Sequence, residues 1–388
     1  MNTQQLIAES VSAVSPSGIR KFFDIASDMK DVISMSVGEP DFVTPWNVCQ
    51  AAIDSIERGE THYTSNSGTL ELRSLIEKYL AERFNVHYKP EQMLVTVGAS
   101  EALDLAFRAL LNPGDEVLIP APSYVSYEPG VRFAHGISVP IVTEEKDDFV
   151  IKPEHIERAI TPKSKVLVIP YPNNPTGAVL SAEDIVAIQD IALKHNLFVI
   201  ADEIYAELTY GRNHVSFAEG FEDRTLLING FSKAFAMTGW RLGYAAGPKP
   251  VIDAMLKIHQ YTMLCAPIMS QKAGEEALRT EMMKDYYQVR EMVRNYNRRR
   301  VYVVQSFREM GFSCFEPRGA FYAFPNISWT GLTSEEFCRR LILEHHVACV
   351  PGTAFGASGE GFIRCSYATS MDNLQEAMQR IRDFIGTL

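Results

Sequence analysis

Between about Glu91 and Ala246, short apolar runs alternate with segments of helical periodicity. The runs are continuously apolar and rich in β-branched residues, which is typical of strands buried on both faces. Segments such as Glu101–Leu111 and Ala182–Lys194 predict helices that would cover those faces. The alternation therefore predicts an α/β fold with a mostly parallel sheet flanked by helices. The predicted strands are Met93–Val97, Glu116–Ile119, Ile137–Val142, Lys165–Pro170, Leu197–Ala201, Thr225–Ile228 and Leu242–Ala246.

The chain beyond this region has a different pattern. Lys284–Met310 contains no Gly or Pro and predicts one long helix that links two domains. Short apolar runs and a closing helix at Met371–Ile385 follow, which together predict a smaller α+β domain. We expect a large domain over residues 47–290 and a discontinuous small domain over 1–46 and 291–388, joined by the long helix at about 284–310.

Composition and charge argue against nucleic acid, a metal site and a membrane span. The 388 residues carry 37 Lys and Arg against 48 Asp and Glu, and a net charge of −11 argues against nucleic acid. The six cysteines show neither a CxxC pair nor a metal-ligand spacing with histidine, so we expect reduced thiols in the cytoplasm and no metal. The start of the sequence lacks a signal-peptide pattern, and no run approaches the length of a membrane span, so we expect a soluble, cytoplasmic protein.

Lys233 lies in a turn of small residues between two predicted strands, with Arg241 eight residues later. A lysine amine is nucleophilic only when uncharged, and burial beside a second cation lowers its pKa. Such a lysine can form a Schiff base with an aldehyde, while the planar fork of an arginine suits a phosphate. For an isolated pair, the alternative is a surface lysine beside a structural arginine.

Polar residues also follow the predicted strands at their carboxyl ends, where ligands bind in open parallel sheets. Asp202 ends the run LFVIAD, where a carboxylate is costly unless it is paired, for example with a protonated pyridine nitrogen. Tyr205 could reach an oxygen of the same ring, and Asn174 in YPNNPTG would direct its amide to the same edge. The alternatives are an Asp that caps the next helix and a simple Asn–Pro turn.

Four further segments suggest ligand contacts. Gly98–Ser100 joins a strand to a helix, where backbone N–H groups favour a phosphate. Tyr124 is placed to stack on a ring, although a packed core tyrosine is the alternative. Arg364 lies in the apolar run GFIRCSY, where an unpaired guanidinium would be costly and a carboxylate ligand is expected. Gly38 allows a close approach of the backbone to a ligand.

Together these segments resemble the class I and II aminotransferases of pyridoxal-phosphate fold type I, in particular the branch of bacterial and archaeal aspartate and aromatic aminotransferases. The resemblance covers nearly the whole chain and is carried by GIRKFF from Gly18, SVGEPDF, THYTSNSG, PNNPTG, ADEIY, NGFSKAFAMTGWRLGY, GAFYAFP and GFIRCSYA. It implies a homodimeric, pyridoxal 5′-phosphate-dependent L-amino acid:2-oxo acid aminotransferase that works in two half-reactions, with 2-oxoglutarate as the acceptor.

The resemblance also implies a role for each candidate residue. Lys233 would carry the cofactor as a Schiff base and act as general acid and base, and Asp202 would pair with the pyridine nitrogen. Tyr205 and Asn174 would hold the ring oxygen, and Tyr124 would stack on the ring. The phosphate would be bound by Ala99, Ser100, Ser232, Arg241 and, from the second subunit, Tyr63. The substrate α-carboxylate would be held by Gly38, Asn174 and Arg364.

Two departures from the family pattern bear on the site. Gly230 stands where many relatives have a phosphate-binding serine, so Ser232, Ser100 or backbone groups must compensate. Ser100 stands where some acid-specific members have a lysine that pairs with the substrate side chain. By resemblance, the side-chain pocket is bordered by Ile19, Phe22, Tyr124, Tyr322 and Phe355.

We therefore expect an aromatic or broad specificity. Aspartate or N-acetyl-diaminopimelate as the amino donor is the alternative. A cysteine-type C–S β-lyase would need the same fold and lysine, and fold similarity alone does not exclude it. A non-catalytic, cofactor-sensing regulator would normally bring a basic DNA-binding segment, which neither chain end has.

Overall fold

The computed structural model describes residues 3–16, 18 and 29–388, and its main elements are twelve α-helices and fourteen strands within these ranges. The strands are β1 (Ile33–Ser34), β2 (Met93–Thr96), β3 (Glu116–Ala121), β4 (Ile137–Val142), β5 (Ser164–Ile169), β6 (Phe198–Asp202), β7 (Thr225–Gly230), β8 (Gly243–Ala246), β9 (Ser313–Cys314), β10 (Tyr322–Ala323), β11 (Pro325–Asn326), β12 (Val347–Ala348), β13 (Val350–Pro351) and β14 (Ile363–Ser366). The helices are α1 (Glu9–Ser12), α2 (Trp46–Glu57), α3 (Leu70–Phe84), α4 (Gly98–Leu110), α5 (Tyr127–Phe133), α6 (Pro153–Ala159), α7 (Ala182–Lys194), α8 (Lys249–Thr262), α9 (Ile268–Met283), α10 (Tyr287–Glu309), α11 (Ser334–His345) and α12 (Met371–Ile385).

A seven-stranded sheet in the order β2-β8-β7-β6-β5-β3-β4 confirms the mostly parallel α/β fold. The strands β7, β6, β5, β3 and β4 pair in parallel, whereas β8 runs antiparallel to both of its neighbours. The chain leaves β7 at Gly230 and returns into β8 at Gly243, which is its partner in the register. The turn that carries Lys233 therefore lies at the edge where β5 and β6 also end.

Burial on both sheet faces explains the continuous apolar runs of the inner strands, whereas the expectation is wrong for β4, which lies at the sheet edge and is largely exposed. On one face, Leu167 and Val199 pack into a cluster that includes Ile188 from α7. On the other face, Val166 and Ile200 pack into a cluster with α4 and α8. Each predicted strand is confirmed, with Ile137–Val142 identical in its bounds. The α4 helix starts at Gly98 and not at Glu101 as predicted, because the small residues that the sequence suggested as a loop form its first turn.

The remaining elements form the smaller α+β part. The predicted long helix is α10, and α12 has the predicted bounds. Strand β14 pairs antiparallel with β10 and β13, and β1 from the N-terminal part pairs in parallel with β12. This pairing is what a small domain completed by the N-terminal segment requires, and the domain limits themselves stay a prediction. Among the described residues, no helix is long and apolar enough to cross a membrane.

Candidate active site

A cavity of 560 Å³ opens at the carboxyl ends of the parallel strands. It brings together all of the residues predicted to bind the cofactor or the α-carboxylate except Tyr63, which is exposed on the surface of its own chain. The candidates that line it are Gly38, Ala99, Ser100, Tyr124, Asn174, Asp202, Tyr205, Ser232, Lys233, Arg241 and Arg364.

Lys233 reaches this cavity from the turn after β7. Its amine donates a hydrogen bond to the carbonyl of Gly38 at 2.6 Å. Burial lowers the pKa of Lys233 to about 8, opposed by the nearby carboxylate of Glu39 and reinforced by the cations Arg364 and Arg241. Lowering the pKa favours the uncharged amine, which is the nucleophilic form.

Asp202 ends β6 with its carboxylate buried in the cavity wall. Burial raises its pKa to about 6, although hydrogen bonds from Tyr127 and from the Ile204 N–H favour the charged form. The Tyr127 hydroxyl donates to Oδ2 at 2.8 Å and the Ile204 N–H to Oδ1 at 3.2 Å. The chain after Asp202 forms turns instead of a helix, so the helix-cap alternative does not hold. A cationic ring nitrogen would relieve the cost of this buried carboxylate.

Arg364, on β14, is a buried cation that also lines the cavity. Its Nη1 donates to Asn174 Oδ1 at 3.0 Å and its Nη2 to the Ser36 carbonyl at 2.6 Å. The guanidinium carbon lies 4.4 Å from the ring centre of Tyr322 and 4.9 Å from that of Phe355. The buried Nε has no hydrogen-bond partner among the described residues. A planar donor group held in this way suits a carboxylate.

Backbone and side-chain donors meet where α4 begins. The first N–H groups of a helix have no intrahelical acceptor and carry a partial positive charge. Arg241 donates from Nη1 to the Thr238 carbonyl at 2.8 Å, and its Nη2 lies 2.6 Å from where a Cβ on Gly98 would be. Gly98 has φ +79°, so any side chain there would be strained and would also displace this guanidinium. The helix start and Arg241 thus form one site for an anion such as a phosphate.

Close packing between β7 and β8 explains why position 230 is a glycine. A Cβ on Gly230 would lie 2.9 Å from the Cα of Gly243 and 3.0 Å from the Leu242 carbonyl, so a serine would require the β7–β8 pair to shift. Ser232 and Ser100 both line the cavity and are the serine hydroxyls available to an anion in this region.

Aromatic residues form much of the remaining wall. Tyr124 and Tyr322 line the cavity as predicted, and the Tyr205 hydroxyl lies 2.8 Å from that of Tyr322. Phe355 does not line this cavity but packs against Arg364 from a neighbouring one. Ile19 and Phe22 lie outside the described residues.

Sequence reasoning missed several contributors. Tyr127 was overlooked although it follows Tyr124 by three residues, a spacing that could have suggested a second aromatic at the same edge. Glu39 is adjacent to Gly38, and its carboxylate lines the cavity and accepts from Thr238 at 2.9 Å. Ser36 acts through its carbonyl oxygen, which no side-chain pattern can reveal.

Residues 30–381 match the model of the family "Aminotransferase class I and II". The chain belongs to this family. It is 51% identical to a putative aminotransferase of Bacillus subtilis, with 98% of each chain covered. It is 44% identical to an aspartate aminotransferase of Pyrococcus abyssi, with 97% of each covered. The crystal structure of an aromatic aminotransferase from Pyrococcus horikoshii superimposes with a TM-score of 0.90 at 41% identity and covers 94% of this chain and 99% of that one.

These findings identify an aminotransferase enzyme of fold type I. Enzymes of the class I and II family depend on pyridoxal phosphate. The cavity of this aminotransferase fits that group, because it combines an anion site, a buried carboxylate that forms no ion pair with any described residue, and a lysine whose pKa is lowered to about 8.

The position of Arg364 in the cavity wall leads to a prediction for substrate binding. Arg364→Lys keeps the charge but loses the planar fork, so kcat/KM should fall for every amino acid and 2-oxo acid alike, by about 1.5–3 kcal/mol. Steady-state kinetics with acidic and aromatic substrates measures this. Arg300→Lys is the control, since Arg300 is also buried and paired but lies outside the cavity. A loss confined to acidic substrates would mean that Arg364 contacts the side chain instead.

Proposed function

We propose that this aminotransferase uses pyridoxal phosphate bound at Lys233 to transfer the amino group of aromatic or other large apolar L-amino acids to 2-oxoglutarate. The observation that carries the proposal is the meeting, in one cavity, of Lys233, the buried carboxylate of Asp202 and the buried fork of Arg364. These three side chains match the amine, the ring partner and the carboxylate partner that the reaction needs.

The cofactor would be held by groups at or just after the ends of five strands, β2, β3, β5, β6 and β7. The start of α4, with Ala99 and Ser100, would bind the phosphate together with Ser232 and Arg241. Asp202 would pair with the ring nitrogen. Tyr205 and Asn174 would contact the ring oxygen, and Tyr124 would stack on the ring.

When bound, pyridoxal phosphate supplies an electron-accepting ring that stabilises negative charge at the substrate Cα. Asp202 would keep the ring nitrogen protonated, because a buried carboxylate stabilises an adjacent cation. With a pKa of about 8, Lys233 is partly uncharged near neutral pH, so its amine would be available to take up the Cα proton and deliver it to the cofactor carbon on the other side of the substrate nitrogen.

Arg364 would position the substrate through its α-carboxylate. Asn174 accepts one of its N–H groups, and the Ser36 carbonyl accepts another, so the guanidinium is held in one orientation. Gly38, whose carbonyl accepts from Lys233, would bring the backbone close to the same carboxylate. Orientation of this kind contributes to the rate because it reduces the entropy lost on the way to the transition state.

The preference for apolar donors is supported by the charges in the cavity. Among its described lining residues, the basic side chains are Lys233, Arg241 and Arg364, and each already has a role. No fourth cation in that lining remains for a second carboxylate, and Glu39 would repel one. Tyr124 and Tyr322 offer aromatic surface instead, whose burial contributes about 25 cal/mol per Å². The second carboxylate of 2-oxoglutarate would then be accommodated by a polar donor or an ordered water, not by a cation.

We also propose that the protein is a homodimer in which each active site contains a residue of the second subunit. Tyr63 is 81% exposed, and its loop is anchored by Gln271, which accepts from the Thr69 N–H at 2.8 Å and donates to Thr64. Val43, Trp46 and Leu70 are 88, 69 and 63% exposed. Large apolar side chains exposed in this number favour a partner surface, and Tyr63 would reach the phosphate of the second subunit across it.

Replacing the lysine tests the assignment of the cofactor site. Lys233→Ala should reduce kcat by about 10²–10⁴-fold or more, since the general acid and base is lost. The fold and much of the cofactor affinity should remain because the phosphate and ring contacts are intact. Circular dichroism, visible absorbance after dialysis and steady-state turnover measure these effects. Lys249→Ala, at an exposed lysine, is the control. Substantial transamination by Lys233→Ala would disprove the assignment.

The shared site is tested at Tyr63. Tyr63→Phe should raise the loss of cofactor on dilution, because one hydrogen bond to the phosphate is removed without loss of the ring. Ultrafiltration at decreasing protein concentration measures the released cofactor, and light scattering gives the oligomeric state. Tyr287→Phe, at another exposed tyrosine, should release no more than the wild type. Full activity in a demonstrated monomer would contradict the shared site.

Specificity is tested by kcat/KM for tyrosine, phenylalanine, aspartate and N-acetyl-diaminopimelate with the same concentration of 2-oxoglutarate. We expect the two aromatic donors to be preferred over aspartate. Ser100→Lys should raise the value for aspartate relative to tyrosine, and Ser100→Ala should not. Aspartate preferred by tenfold in the wild type, a difference of about 1.4 kcal/mol, would overturn the pocket argument.

A further inference from the structure

Tyr322 connects two halves of the site. Its hydroxyl lies 2.8 Å from that of Tyr205, and its ring centre lies 4.4 Å from the guanidinium carbon of Arg364. A Cβ on Gly38 would lie 2.7 Å from the same hydroxyl oxygen, so this corner is tightly packed. The side chain is fully buried and lines the cavity. One tyrosine therefore contacts both the residue proposed to hold the ring oxygen and the residue proposed to hold the substrate.

The number of protons limits what Tyr205 can do. A phenol has one proton to donate and lone pairs that accept. If Tyr205 donated to Tyr322, its proton would be used within the protein and its oxygen could only accept from a ligand. If Tyr322 donates, the Tyr205 proton is free to point into the cavity. No other described residue forms a hydrogen bond with the Tyr322 hydroxyl, so its proton has no competing acceptor among them.

The cation beneath the ring favours Tyr322 as the donor. Burial raises the pKa of Tyr322, whereas Arg364 and the hydrogen bond with Tyr205 act in the opposite direction. Burial raises the pKa of Tyr205 well above its usual value, Tyr322 raises it further, and Arg364 lowers it. The guanidinium packs against the ring of Tyr322, so its effect is larger on Tyr322 than on Tyr205. The more acidic of two phenols is the stronger donor. The titratable and charged groups that face the two hydroxyls are Glu39, Tyr124, Tyr127, Asp202, Lys233 and Arg364.

We propose that Tyr322 is a positioning residue whose hydroxyl donates to Tyr205 and thereby directs the Tyr205 proton toward the cofactor ring oxygen. This inference rests on the proposed function, because it requires the ring to lie beside Tyr205. Each donor in a chain of hydrogen bonds polarises the next, so Tyr205 becomes a stronger donor. The ring oxygen then carries negative charge more readily and accepts less strongly from the protonated nitrogen linked to Lys233, so the pKa of that nitrogen is lowered.

The test is a pH titration of the visible absorbance of the holoenzyme, which reports that proton. Tyr322→Phe should move the midpoint upward by about 0.5–1 pH unit, the effect expected when one hydrogen bond is weakened. In a Tyr205→Phe background, Tyr322→Phe should cause no further shift, since it acts through Tyr205. The turnover number kcat should fall while KM for the amino acid stays within about twofold, because the ring against Arg364 is kept.

Tyr210→Phe is the matched control. Tyr210 is a buried tyrosine of the same core cluster, and its hydroxyl donates to the Ala320 carbonyl outside the cavity. This variant should leave the midpoint unchanged. An unshifted midpoint in Tyr322→Phe, an equal shift in the Tyr205→Phe background, or an equal shift in Tyr210→Phe would each overturn the inference. A wild type without visible absorbance after reconstitution would instead refute the proposed function.

Discussion

The buried guanidinium of Arg364 is the constraint around which the site is arranged. A cation at this depth is costly unless its donors are satisfied. The Ser36 carbonyl and the Asn174 amide satisfy two of them from segments 328 and 190 residues away in the chain, and the Tyr322 ring covers one face. Removing any of these contacts would leave a buried charge partly unpaired. The N-terminal segment, the loop after β5 and strand β10 thus meet at one side chain, and the remaining free side of Arg364 faces the cavity.

Lys233 and Asp202 respond to the same burial in opposite senses. Burial lowers the pKa of the lysine to about 8 and raises that of the carboxyl to about 6, so each group is shifted toward its uncharged form. Among the residues that the structure describes, neither forms an ion pair within the cavity. A ligand with a phosphate at one end and a cationic ring nitrogen at the other would compensate Arg241 and Asp202 together. A ligand that binds only the folded state stabilises that state. We therefore expect such a ligand to raise the free energy of unfolding of the protein as well.

Much of the fold could be read from local pattern, and the exceptions have local causes. Ile137–Val142 and Met371–Ile385 matched their predicted bounds because each is an uninterrupted periodic segment flanked by turn residues. The start of α4 was misjudged because Gly98 is a poor helix former, yet the Glu101 carboxylate accepts the Val97 N–H at 2.5 Å and supports the first turn. The antiparallel direction of β8 was not predictable from its composition, since a buried strand is apolar in either direction.

By itself, the sequence determined the residue types at the site and the sheet edge on which they lie, because strand periodicity and strand ends are local properties. Only the tertiary structure decided which groups face each other. The hydroxyls of Tyr205 and Tyr322 meet across 117 residues, Tyr127 bonds to Asp202 across 75, and Ser36 contributes a carbonyl that every residue possesses. The pKa values of Lys233 and Asp202 likewise follow from burial, which depends on how distant segments pack. Local pattern cannot specify such distances, since they arise only when the whole chain excludes water from the cavity walls.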